Sequence, residues 1–390
     1  MKLAQRIEHI TQGGSDGWEI YYRTRDMIAA GERVLTLTIG EHDIGTDPEI
    51  LKAMHDSAAA GNTGYAFGPG NQDLREEIAA RVAARTGVPT GWENVVITPG
   101  GQAALFATHM ALLDQGDRAL CCDPYYATYP GTIRATGAEA AVVPTRSSED
   151  FLPQEAVIRA RAQGAKTLLI NTPNNPTGVT YPRATLDGIQ RAVEAEDLWL
   201  ISDEVYDTQI WEGEHLSPRA LPGMAARTIV VGSMSKSHAM TGSRLGWIVA
   251  PLEVSEAVTT LTTNTTYGVP AFIQDAALFA LRQGPGFEEK IAAPFRRRRE
   301  IAMRALKGSN AIRVIPASGA MYVMLDIRAT GMSGNDFANR LLDEERIAVM
   351  PGESFGAASC GHVRVALTIA DELFEEAIGR LAGFAERAMG

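Results

Sequence analysis

In the run Ser233-Met-Ser-Lys-Ser-His-Ala-Met-Thr-Gly-Ser-Arg244, Lys236 stands just past the strongly apolar stretch 228–232. Two hydroxyls precede it by three and one residues, and an arginine follows by eight. A lysine amine can hold an aldehyde as a Schiff base. Ser233, Ser235 and Arg244 add two hydroxyl donors and a two-pronged guanidinium, a set that suits a phosphate dianion. An aldehyde cofactor with a phosphate tail needs both halves. A surface lysine in a serine-rich loop has the same local sequence, so the rest of the chain must decide.

Four more apolar, strand-like runs end in complementary chemistry. Residues 94–98 lead into Pro99-Gly-Gly-Gln102 and a helical stretch, so Gly101 and Gln102 place backbone N–H groups at a helix N-terminus, where an anion is favoured. The run 119–122 ends in Asp123-Pro-Tyr-Tyr126, and Tyr126, with Tyr125 as the rival, can stack on a flat heteroaromatic ring. Residues 167–170 end in Asn171-Thr-Pro-Asn-Asn-Pro-Thr-Gly178, where two prolines fix the loop and hold an asparagine amide in place. Trp199-Leu-Ile-Ser202 ends in Asp203-Glu-Val-Tyr206. A carboxylate at the end of a buried strand is costly unless a cation meets it, and a protonated pyridine nitrogen is such a cation. Tyr206 is spaced to reach another atom of the same ring. Each segment alone also reads as an ordinary turn. Open α/β sheets bind ligands at the carboxyl ends of their strands, and five such ends here are complementary.

The elements that must position these residues follow from the pattern of the chain. Residues 90–250 alternate short apolar runs with longer periodic segments, which predicts a mostly parallel sheet covered by helices. After Gln283-Gly-Pro-Gly286 a long charged helix precedes short strands near 320–326 and 362–367 and a last helix from about Asp371. The expected division is a large domain over 41–283, a smaller α+β domain over 284–390, and an N-terminal segment 1–40 that packs with the small domain. The run Arg296–Arg299 is expected to be the solvated start of the long helix.

At 390 residues, with 45% hydrophobic and 21% charged content, the composition is that of a globular protein of about two domains. A formal net charge of −11 argues against nucleic acid or an anionic membrane as partner. Three cysteines without a paired framework predict buried free thiols in a reducing compartment. No signal-peptide core and no span-length apolar run occur, so a cytoplasmic location is expected.

These segments, with Leu37-Thr-Ile-Gly-Glu41, Thr63-Gly-Tyr65, Gly70-Asn-Gln-Asp-Leu-Arg75 and Val363-Arg-Val365, resemble in order the class I and II aminotransferases dependent on pyridoxal 5'-phosphate, of fold type I. The resemblance implies that Lys236 is the Schiff-base lysine and proton shuttle, and that Asp203 keeps the pyridine nitrogen protonated. It implies that Tyr206 and Asn175 bond the ring 3-oxygen and that Tyr126 stacks on the ring. Gly101, Gln102, Ser233, Ser235 and Arg244 would bind the phosphate. Tyr65 would reach the phosphate in the other subunit of a homodimer, and Arg364 would clamp the substrate carboxylate with Asn175 and the backbone of Gly40. Amino acids and 2-oxo acids such as pyruvate or 2-oxoglutarate would be the substrates.

Some bacterial aspartate aminotransferases of this group carry a lysine after the Gly-Gly pair. Here Gln102 stands there, which counts against a dicarboxylate donor. The segments 16–22, 267–268, 272–276 and 325–331 look most like bacterial arginine–pyruvate transaminases. An aspartate aminotransferase is the alternative, and a carbon–sulfur β-lyase a further one. A non-catalytic regulator on such a domain would append a basic helix-turn-helix module, and no such pattern precedes residue 40.

Overall fold

The computed structural model describes residues 3–11 and 18–389, so Asp16 and Gly17 of the segment 16–22 lie outside the described residues. The strands in chain order are β1 (Leu35–Leu37), β2 (Val95–Thr98), β3 (Arg118–Asp123), β4 (Glu139–Pro144), β5 (Ala165–Asn171), β6 (Trp199–Asp203), β7 (Thr228–Ser233), β8 (Gly246–Val249), β9 (Arg313–Val314), β10 (Tyr322–Asp326), β11 (Ile347–Pro351) and β12 (His362–Ala366).

Strands β2 to β8 form a seven-stranded sheet in the order β2-β8-β7-β6-β5-β3-β4. Its neighbours are parallel except at β8, which runs antiparallel to both β2 and β7. The central strands are unbroken apolar runs because both faces are covered. Alternate residues go to opposite cores: Leu168, Ile170 and Leu200 pack on one side, and Leu169, Ile201 and Val231 on the other. The architecture is the α/β, mostly parallel sheet between helices that the alternation predicts.

The other five strands form a second sheet, β1-β11-β12-β10-β9. β1 lies parallel to β11 at its edge, with Leu35 opposite Ile347 and Leu37 opposite Val349, while the remaining pairs are antiparallel. The helices Gly334–Glu345 and Asp371–Ala388 give it a core in which Phe337 and Phe384 meet edge to face, 5.1 Å between centroids.

Two expectations fail here. Arg296–Arg299 do not open a helix but lie inside the 21-residue helix Pro285–Ala305. Consecutive helical residues point about 100° apart, so one of the four faces inward, and Arg298 is buried. Arg299 also turns inward enough to donate to the Ala317 carbonyl, at 2.7 Å. Cys121 and Cys122 are buried, but Cys360 is exposed, at the turn before β12.

Candidate active site

Twelve of the thirteen expected site residues line one cavity of about 290 Å³. It lies at the carboxyl ends of β5, β6 and β7, closed on the far side by Gly40 and by Arg364 of β12. The missing residue is Tyr65. It is 91% exposed, with its ring edge-on to Tyr267 at 5.0 Å.

One end of the cavity is built to meet an anion. Gly101 starts the 12-residue helix Gly101–Leu112, whose first backbone N–H groups are free of helical partners. Gly100 before it has φ 84°, and a Cβ there would sit 2.5 Å from Arg244 Nη2, so only glycine lets the backbone come this close to the guanidinium. Ser233 Oγ accepts the Ser235 N–H at 3.1 Å, lies 3.0 Å from Ser235 Oγ, and has the Leu245 carbonyl at 3.2 Å as a second acceptor for its proton. Arg244 Nη1 donates to the Thr241 carbonyl at 2.7 Å. A helix N-terminus, two hydroxyls and a guanidinium fit a phosphate dianion.

The middle holds a carboxylate and an amine. Asp203 ends β6 and is 5% exposed. Its Oδ2 accepts the Tyr129 hydroxyl at 2.6 Å, and Asn171 Nδ2 grips its main-chain carbonyl at 2.9 Å. Burial raises its pKa to about 6, against the pull of Tyr129 and the Val205 N–H. A carboxyl so placed is short of a cation, and a protonated pyridine nitrogen would supply one. Lys236 Nζ donates to the Gly40 carbonyl. Burial lowers the Lys236 pKa, Tyr322 and Glu41 oppose the shift, and the Arg364 and Arg244 charges reinforce it. Tyr206 Oη lies 3.1 Å from Tyr322 Oη. Tyr126 lines this cavity; Tyr125 lines the neighbouring one instead.

The other end is cationic. Arg364 is 1% exposed, its guanidinium sandwiched between the Tyr322 and Phe355 rings at 4.5 Å from each centroid. Nη1 donates to Asn175 Oδ1 at 2.9 Å and Nη2 to the Thr38 carbonyl. Asn175 is itself held, its N–H donating to Asn171 Oδ1 at 2.7 Å. A Cβ on Gly40 would fall 1.7 Å from Tyr322 Oη, so glycine is required there.

Gln102 lines both this cavity and the second one, which is larger, about 1060 Å³. Its Oε1 accepts from Thr128 Oγ1 at 3.0 Å. Sequence reasoning missed Tyr129, Tyr322 and Trp18, which also line the first cavity. Tyr129 had a signal, its three-residue spacing from Tyr126. Tyr322 looks in the sequence like any strand residue, and only the second sheet's position brings it in.

A profile of the family Aminotransferase class I and II matches residues 32–381. The chain is 40% identical to the arginine–pyruvate transaminase of Pseudomonas aeruginosa over 100% of both chains. It is 35% identical to the aspartate/prephenate aminotransferase of Thermus thermophilus over 92% of each. Among solved structures, the aspartate aminotransferase from Thermus thermophilus with maleate superposes with a TM-score of 0.91 at 32% identity, covering 98% of this chain and 99% of that one.

Proposed function

The chain belongs to the class I and II aminotransferases, enzymes that depend on pyridoxal 5'-phosphate, and we propose that it moves an amino group from arginine or a neutral L-amino acid to pyruvate, with Lys236 as the residue that holds the cofactor. When bound, the cofactor supplies an electrophilic aldehyde carbon and a ring that withdraws electrons. Lys236 Nζ would hold that carbon and, when freed, would be the group that moves the donor's α-proton. Burial lowers its pKa, the direction that favours the basic form this needs. Asp203 holds a proton on the ring nitrogen, and Tyr206 and Asn175 bond the ring oxygen. Tyr126 covers the ring face. The backbone at Gly101 and Gln102, with Ser233, Ser235 and Arg244, takes the phosphate. Arg364 takes the α-carboxylate, helped by Asn175 and the Gly40 backbone. The observation that carries this reading is a single cavity into which separate strand ends bring Lys236, Asp203, Arg244 and Arg364.

The working division is a large domain over 41–283 and a small one over 284–390, and the pairing of β1 with β11 supports assigning residues 1–40 to the small domain. Tyr65, with exposed Phe67 and Tyr267 beside it, supports a homodimer in which Tyr65 reaches the partner's phosphate site. Among the described residues no helix is long and apolar enough to cross a membrane, which agrees with a cytoplasmic enzyme.

For the donor, Gln102 offers no charge to a second carboxylate, and an unpaired buried carboxylate costs several kcal/mol. The second cavity shares Trp18, Gln102 and Arg244 with the first and so gives a long side chain room. Its wall carries Glu19 and Glu353, and also Arg134, whose guanidinium donates to the Ile10 carbonyl at 3.0 Å. The aspartate aminotransferases among the relatives favour the rival donor. A screen of the twenty amino acids with pyruvate and 2-oxoglutarate, compared by kcat/KM, separates the two. Arginine or a neutral donor should lead with pyruvate. Aspartate leading by tenfold, about 1.4 kcal/mol of transition-state preference, overturns the donor assignment, and turnover without any acceptor would indicate a β-lyase. Borohydride reduction of the holoenzyme followed by peptide mapping should find the pyridoxyl group on Lys236 and on no other lysine.

A further inference from the structure

The arginine run inside the helix Pro285–Ala305 contains one side chain whose position has no surface role. Arg298 is 4% exposed, and its guanidinium is committed on three sides. Nη1 and Nη2 form a two-pronged pair with Asp43, at 3.0 and 2.7 Å. Nε donates to Asp371 Oδ1 at 2.8 Å, and Nη1 also donates to the Leu367 carbonyl at 3.0 Å. A guanidinium taken out of water to this degree must be matched by well-formed partners, and a planar fork meeting a carboxylate is the geometry that does so.

What the side chain joins is informative. Asp43 lies three residues beyond Gly40, and Leu367 three residues beyond Arg364. The two segments so tied are those assigned above to the substrate carboxylate. A second tie runs beside it, from Thr368 Oγ1 to the Ile39 carbonyl at 2.9 Å. The same loop is fastened on its other side to the large sheet's loops, by Thr46 Oγ1 to the Ala239 carbonyl at 2.7 Å and by Thr241 Oγ1 to Glu41 Oε1 at 2.8 Å. The loop from Thr38 to Thr46 therefore bridges the two halves of the site. Neither Asp43 nor Arg298 lines the cavity.

We propose that Arg298, through Asp43 and the Leu367 carbonyl, is a positioning residue for substrate capture: it fixes the spacing between Gly40 and Arg364. The proposal rests on the assignment of Gly40 and Arg364 to the α-carboxylate. A lysine in its place keeps the charge but cannot grip Asp43 with two parallel bonds and reach Asp371 and Leu367 at once.

The test uses the holoenzyme with pyruvate as acceptor and the leading donor from the screen. Arg298→Lys should raise KM for both substrates by about tenfold or more with kcat within about threefold of wild type, the pattern of lost binding shared by ground and transition states. Cofactor absorbance and cofactor affinity should not move. Asp43→Asn, which keeps the shape and removes the charge, should raise KM in the same direction and carries the test alone if Arg298→Lys does not fold. In the double variant the combined effect should be smaller than the sum of the two, because both break the Arg298–Asp43 pair. Unchanged KM in both variants, or a fall in kcat and cofactor affinity at unchanged KM, overturns the proposal in favour of a purely structural pair. Arg364→Lys is the control. A raised KM there with none in the other two sinks the clamp alone, whereas an unmoved KM there sinks the carboxylate assignment and the clamp together.

Discussion

The two ends of the cavity are made in different ways. The phosphate and ring end is local: apart from Arg244, which comes eleven residues after β7, its residues follow at once on a strand of the large sheet, as at β6 with Asp203 and Tyr206 or β7 with Ser233 and Lys236. The carboxylate end is assembled over long distances. Arg364 meets Asn175 across 189 positions and Thr38 across 326. The local end can be rigid by itself, whereas the distant end depends on how the second sheet is seated. Variants at the local end should therefore act on turnover and cofactor binding, and variants at the distant end on KM.

The largest effect should come from Asp203→Ala. The cofactor stays bound through its phosphate contacts, but kcat falls by about a hundredfold to a thousandfold, the usual worth of such an electrostatic group. Single-turnover kinetics that gave near-normal rates would break the contrast at its stronger end. Arg364→Lys comes next, with KM for the donor and for pyruvate both raised by about tenfold or more as a bidentate grip is lost, and with the absorbance spectrum of the holoenzyme unchanged.

Tyr65→Phe tests whether the local end is complete within one chain. If the hydroxyl reaches the partner's phosphate, cofactor affinity should fall by about five- to tenfold, the net worth of roughly 1 kcal/mol for one hydrogen bond, while the sedimentation coefficient stays that of the dimer. Unchanged affinity would leave Tyr65 as an interface residue only.

The smallest and most diagnostic change is Tyr129→Phe. Asp203 carries its charge above about pH 6 and loses it below, so the apoprotein's affinity for pyridoxal phosphate should fall as pH drops through that value. The Tyr129 hydroxyl favours the charged carboxylate. Its loss should move the break upward by about one unit, equivalent to about 1.4 kcal/mol. Fluorescence titration of the apoprotein from pH 5 to 8 reads it, and a uniform loss of affinity at every pH would show Tyr129 to be packing alone.

The same contrast explains what the sequence makes legible. A strand followed by Asp203-Glu-Val-Tyr206 shows its chemistry in a dozen letters, because the buried carboxylate is conspicuous where apolar residues should be. Arg364 carries no such mark within β12; its part is implied by a resemblance and not by its neighbours. Arg298 is hidden further, since four arginines in a row look solvated until the phase of the helix is known. Tyr322 is brought to Gly40 and Tyr206 only by the seating of β10 against the large sheet. Residues that act where their strand ends can be read early. Those that act through register, helix phase or the meeting of two sheets cannot.

The edge strand β1 sets a clock for synthesis. Its only partner in the second sheet is β11, and about 310 residues separate Leu37 from Ile347. At about 5–20 residues per second, Leu35–Leu37 leave the ribosome roughly fifteen seconds to a minute before their partner exists. The large sheet, whose last strand ends at Val249, can close in that interval. The newborn chain then presents a bare apolar strand edge, and slowing translation anywhere between residues 38 and 347 should lengthen its exposure to chaperones and to aggregation, whereas the same delay placed before residue 35 should not.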